Sequence, residues 1–317
     1  MRKEKKKPLL YLALFALLFA SSFVVAKYFS VRQVTNSLNL NITAKKSSEY
    51  MLKPGQEILE ILTTDPRVNN VSYNYIEFCG ISDVPWDAVA TNIPVDVGDL
   101  GRIKLYYKYG DAGRNVLYFA TDVPSETIIF NKESDNMFNN YNLLGWKILE
   151  VNSTRAINID TSLVETTENM FANCYSMKEN DIVKYFDTSS VTNMSGMFYN
   201  CYALENLNLT NFDTSSVTDM SSMFESCRAL ADIDLSSFDT SQVVDMSRMF
   251  YGCHYLSKIY ASDLFQVGSS VTSTNMFLYC ITLVGGNGTV YDNVHFDGQY
   301  ARIDGGTSKP GYFTRKT

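Results

Sequence analysis

Between Phe186 and Asp263 the apolar positions recur in three consecutive units of 26 residues. Phe186, Phe212 and Phe238 occupy one column and Asp187, Asp213 and Asp239 the next. Met197–Phe198, Met223–Phe224 and Met249–Phe250 form another, followed three residues later by Cys201, Cys227 and Cys253. The pattern extends upstream through Met170-Phe171 and Cys174, and downstream through Met276-Phe277 and Cys280. Met137-Phe138 opens a degraded copy, with Tyr141 in the cysteine column and Leu143, Trp146 and Ile148 beyond it. A fixed period of this length marks repeats that bury their apolar faces by stacking on one another.

Two elements are predicted within each unit. Leu207 and Leu209, matched by Ile233 and Leu235, alternate as in a strand. Met220, Met223 and Phe224 have helical spacing, with Thr218 or Asp219 placed to cap a short helical turn. Together these predict an α/β solenoid: a leucine-rich-repeat-like array of about five coils of 26–27 residues, with parallel strands and short helical turns, behind a small β-rich N-terminal region.

The unit FDTSxVxxMSxMFxxC with its following L-x-x-L-x-L resembles the leucine-rich repeats of BspA-type bacterial surface proteins. The stretch Tyr300 to Thr314 resembles the segment that closes such arrays, so the likeness covers about Arg102 to Thr317. The resemblance implies a surface-displayed or secreted binding protein, and it brings no catalytic residues with it.

Outside the repeats, Arg2, Lys3, Lys5, Lys6 and Lys7 precede an apolar run from Leu9 to Ala26. That is an export signal, read either as a cleaved signal peptide or as an N-terminal membrane anchor over residues 1–26. Residues 27–100 form a small, mostly β region, with a short helix expected over Gln56 to Thr63 and a strand over Val71 to Phe78. Ile103 to Tyr109 and Asn115 to Ala120 flank Gly110-Asp111-Ala112-Gly113, a hairpin signal. Residues 101–158 are expected to cap the array and supply its degenerate first coil, 159–285 to form the array proper, and 286–317 to cap its far end.

Charge and candidate chemistry narrow the function. The net charge is −7, and Ile159 to Asp263 holds fifteen acidic and five basic residues, a net −10. Such a surface repels nucleic acid and anionic lipid, so a membrane partner is expected only through the N-terminal segment. Five of the six cysteines fall in the repeat column and are expected as free buried thiols, while Cys79 stands outside it. The Asp-Thr-Ser column at Asp160, Asp187, Asp213 and Asp239 reads as turn chemistry rather than a calcium site. His254 and His295 are the two histidines, and no catalytic grouping, metal site or cofactor motif is suggested.

The outward strand positions vary while the core columns stay constant. Asn208, Asp234 and Tyr260 form the candidate ligand-binding row. The expectation is a non-enzymatic, exported bacterial surface protein, extracellular or cell-surface, that binds an extracellular protein or glycan in adhesion or cell contact. A structural envelope spacer without a specific ligand is one alternative. A secreted enzyme with residues 28–100 catalytic and the repeats for targeting is the other.

Overall fold

A computed structural model of the chain divides into two units, Met1–Ser48 and Glu49–Thr317. The structure describes residues 49–69, 75–110, 115–123, 126–139, 150–153 and 159–316. The segment read as an export signal or anchor lies outside the described residues.

The N-terminal part of the second unit opens with helix α1, Gly55–Thr64, and a single turn α2, Pro66–Asn69. Ile58, Leu59 and Leu62 form the buried stripe of α1. Gly55 is required at its start, because a Cβ there would lie 2.1 Å from the carbonyl oxygen of Asp135. Strands β1 (Tyr75–Gly80), β2 (Val89–Pro94), β3 (Ile103–Lys108) and β4 (Val116–Thr121) follow. β3 and β4 pair antiparallel, as the hairpin signal between them predicts. The helix expected over 56–63 is α1, and the strand expected over 71–78 begins, among the described residues, at Tyr75.

β5 (Ile128–Ile129), β6 (Glu150–Ser153), β7 (Ile159–Asp160) and β8 (Glu179–Asn180) lead into the repeats. The main sheet has the order β2-β3-β4-β1-β6-β8, antiparallel through β4 and parallel from β4 onward. A second, parallel sheet joins β9 (Asp232–Leu235), β10 (Lys258–Ala261) and β11 (Phe313–Arg315) in the order β11-β10-β9. β5 and β7 form a separate parallel pair.

The repeats lie layer on layer, and their hydrogen bonding follows one rule. In the layer of Met220, the N–H groups of Met220, Ser222, Phe224 and Ser226 donate to the carbonyls of Asp245, Ser247, Met249 and Tyr251 in the next layer. The intervening N–H groups of Met223, Glu225 and Cys227 donate within the layer, to Met220, Ser222 and Phe224. Met194, Gly196, Phe198 and Asn200 make the same rungs to Asp219, Ser221, Met223 and Glu225, and Met246, Arg248, Phe250 and Gly252 to Thr272, Thr274, Met276 and Leu278.

That rule corrects the fold expectation. An α/β solenoid with helical turns requires Met220, Met223 and Phe224 to share a helix, but from residue 159 onward the described chain has no α-helix, only short 3₁₀ turns. Two positions per layer have left-handed backbone and interrupt any helix: Asn169, Gly196, Ser222, Arg248 and Asn275 in one column, and Asn173, Asn200, Ser226, Gly252 and Tyr279 in the other. The helical spacing is produced by consecutive tight turns, and the chain is β-rich with several small sheets. The leucine-rich-repeat plan is not what this sequence builds.

Rings and hydroxyls tie the layers together. Phe138, Phe171, Phe198, Phe224, Phe250 and Phe277 stack in one column with centroids 5.6–5.9 Å apart. Phe78 and Phe119 meet Phe138 at one end, and Tyr312 and Phe313 meet Phe277 edge-on at the other. These side chains are buried and supply much of the apolar burial that stabilises the layers. At the corner, buried Thr214 donates to the Asp239 carbonyl at 2.9 Å and accepts from the Asp239 N–H at 2.8 Å. Thr188 does the same to Asp213, both at 2.8 Å. Substituting Thr214→Val keeps the shape and deletes both bonds, which should cost about 1–3 kcal/mol. A urea titration of the variant against the parent measures it.

Candidate functional site

The outward face of the strand side is built from inward and outward alternation. In β9 and β10, Ile233, Leu235, Ile259 and Ala261 are buried, so Asp234 and Tyr260 face out, as direct neighbours in the parallel register. Asn208 is exposed in the preceding layer, but residues 206–209 form no strand. Its Oδ1 accepts from the Thr210 N–H and hydroxyl at 3.1 and 2.8 Å, the same turn that Asp234 makes with Ser236. The structure thus pairs Asp234 with Tyr260 and places Asn208 in the layer before, across a break between the two sheets.

Neighbours modify this row. Lys316 donates to the Asp234 carboxylate, and the Ser236 N–H donates to it at 3.0 Å. Burial pushes the Asp234 carboxyl up, but the hydrogen bonds from Lys316 and Ser236 outweigh it and hold the group below the usual carboxylate range. The Lys258 ammonium lies 5.8 Å from the Tyr260 ring centroid. Arg315 and Asp263, 2.7 Å apart, add a second ionic contact between β11 and the end of β10.

The break is an open groove of ≈ 450 Å³ lined by residues 179–181, 206–210 and 232–234. Cys174 and Phe186 are 12 residues apart, as are Cys253 and Phe265, whereas Cys201 and Phe212, like Cys227 and Phe238, are 11 apart; the Cys253 unit nevertheless keeps β10 paired with β9, so unit length alone does not open the groove. The unit of Cys174 ends its strand at Asn180 and continues in a 3₁₀ turn, Ile182–Tyr185. Glu179 bridges Asn206, and beyond that rung the layers part.

Asn180 is the residue that sequence reasoning missed. It stands six residues after Cys174, in the column that holds Leu207, Ile233 and Ile259 after their own cysteines. An amide in a Leu/Ile core column was a readable signal. It is 4% exposed, and neither its amide nitrogen nor its amide oxygen has a hydrogen-bond partner.

The remaining candidate groups have structural roles. Asp187 Oδ1 accepts from the Ser189 N–H at 3.0 Å and its hydroxyl at 2.6 Å, and Asp213 does the same with Ser215. The thiols of Cys201, Cys227, Cys253 and Cys280 donate to the carbonyls of Phe171, Phe198, Phe224 and Phe250 in the layer before, at 3.0–3.2 Å. All six cysteines are free and buried, and burial pushes the Cys253 and Cys79 thiols up to about 12. His295 is half-buried beside Asp292, 2.9 Å away.

By fold and face, the described chain is a β-rich protein of stacked turns that presents a variable row and an acidic groove. Residues 132–262 match the model of a family described as Mycoplasma protein of unknown function, DUF285. No curated protein and no solved structure matches the chain. The family match corrects the BspA-type reading, since it is DUF285 and not a leucine-rich-repeat family that the repeat columns satisfy. The membrane-anchor reading gains no support either, because no helix among the described residues is long and apolar enough to cross a membrane.

A thiol reagent should label none of the cysteines in the native protein and all six after unfolding. For Asp234 the folded pKa lies below the unfolded one, so its contribution is present above the ordinary carboxylate range and lost as pH falls through the folded value. Amide exchange of Phe313–Arg315 should therefore lose protection in acid before the phenylalanine column does.

Proposed function

We propose that this is an exported bacterial surface protein that binds a macromolecular ligand, an extracellular protein or glycan, through the outward face of its repeats in adhesion or cell contact. The supporting observation is the contrast across one strand. Ile233 and Ile259 are buried at 2% and 0% exposure in a constant apolar column, while the positions beside them change from Asn208 to Asp234 to Tyr260. A scaffold that keeps its core and varies its face is suited to recognition. Tyrosine is abundant, at 21 residues, and supplies stiff amphipathic contacts. The basic-then-apolar N-terminus supports export, and the acidic repeats make nucleic acid an unfavourable partner.

The triple substitution Asn208→Ala, Asp234→Ala, Tyr260→Ala tests this reading. Purified protein on a panel of matrix proteins, mucins and whole cells should bind saturably, and the variant should lose roughly tenfold or more in affinity. An inert wild-type protein across the panel, or unchanged binding by the variant, contradicts the reading and favours a spacer.

A further inference from the structure

The row of Asp234 and Tyr260 is not left open by the rest of the chain. Strand β11 pairs with β10 by setting Phe313, Thr314 and Arg315 opposite Ile259, Tyr260 and Ala261. Asp234 lies opposite Tyr260 from the other side, on β9. Asp234, Tyr260 and Thr314 therefore share one register line on the outward face, and alternation puts Lys316 on that face too. Its ammonium donates to the Asp234 carboxylate. Because β10 lies between β11 and β9, the lysine stem crosses β10 beside Tyr260 to make that contact.

Three observations separate this contact from an ordinary surface pair. Two consecutive basic residues act as a clamp: Arg315 grips Asp263 with hydrogen bonds of 2.9 and 2.7 Å, and Lys316 grips Asp234 one strand further on. The Lys316 pairing joins residues 82 apart and skips the intervening strand, whereas a pair such as Lys184 with Asp181 binds a local neighbour. The backbone also holds this lysine weakly. Its N–H reaches the Ala261 carbonyl at 3.4 Å, and its side chain is 48% exposed. Such a contact opens readily, because water solvates both ions once they part.

We propose that Arg315 and Lys316 form a strap closed over the binding row, and that a macromolecular ligand engages Asp234 and Tyr260 only after Lys316 has let go. Phe313 stays in place while the strap moves, because its ring packs edge-on against Phe265 and Phe277 in the core. The moving part is short and lies wholly at the surface. The strap lowers the apparent affinity by the fraction of molecules in which it is open, so it sets a threshold for adhesion. The inference rests on reading this row as the ligand-binding surface and adds the contact that regulates it.

Binding of the full chain and of its Lys316→Gln variant to the same panel of matrix proteins, mucins and whole cells tests it. Lys316→Gln should bind roughly two- to fivefold more tightly than the parent, the range an exposed ion pair allows. Lys316→Arg keeps the clamp and should bind as the parent does. The gap between parent and Lys316→Gln should close as salt rises, because screening opens the strap of the parent. Trace acylation with acetic anhydride checks the contact without a ligand. The Lys316 amine should react faster in Asp234→Asn than in the parent, by roughly the same factor. Unchanged or weaker binding by Lys316→Gln, beside saturable binding by the parent, overturns the strap and leaves the functional reading standing. Equal acylation rates in the two proteins overturn it as well. If neither parent nor variant binds anything on the panel, the functional reading fails and the strap falls with it.

Discussion

Every second backbone N–H in the Met-Phe segment of a repeat is committed to the next layer. The rungs from Met220, Ser222, Phe224 and Ser226 leave the residues between them to close tight turns inside the layer. That division cannot be met by a helix, in which every N–H past the first turn points along its own axis. It needs left-handed backbone at two places per unit, supplied by Asn, Gly and Ser at most positions and by Arg248 and Tyr279 at two. Asparagine and glycine tolerate that conformation best, so the arginine and tyrosine are held there by the layers on either side.

Once the rungs are fixed, the core columns follow. Each methionine, phenylalanine and cysteine lands on its counterpart one layer away. The cysteine is a small apolar residue that can also donate to the phenylalanine carbonyl behind it. The threonine at the corner completes the pairing by acting as donor and acceptor to one residue of the next unit. Such a stack leaves the strand-side outward positions free to vary. Where the strand-side rungs stop, between residues 206–210 and 232–234, the stack leaves the open groove beside Asn180.

The period, the core columns and the turn role of the Asp-Thr-Ser motif were legible in the sequence, because stacked units must place the same residue types at the same spacing. Element type was not. Met220, Met223 and Phe224 fit a helical face and also fit two consecutive turns, and what separates them is the positive φ at Ser222 and Ser226, which serine does not announce. The resemblance to leucine-rich repeats followed from the same ambiguity. Asp234 and Tyr260 were placed outward correctly by alternation, but the Lys316 contact to Asp234 joins residues 82 apart and has no local signature. Asn180 was within reach of sequence alignment of the units, since it follows its cysteine by six residues as Leu207, Ile233 and Ile259 follow theirs.

Amide hydrogen exchange at Ser222 and Ser226 tests the layer account most directly. In the structure both N–H groups donate to the next layer, at 2.9 and 2.7 Å, so both should exchange as slowly as Phe224 and only on global unfolding. A helical turn capped at Asp219 would leave the Ser222 N–H in the first turn, without a backbone partner. Rapid exchange at Ser222 beside a protected Phe224 would contradict the stacked-turn architecture.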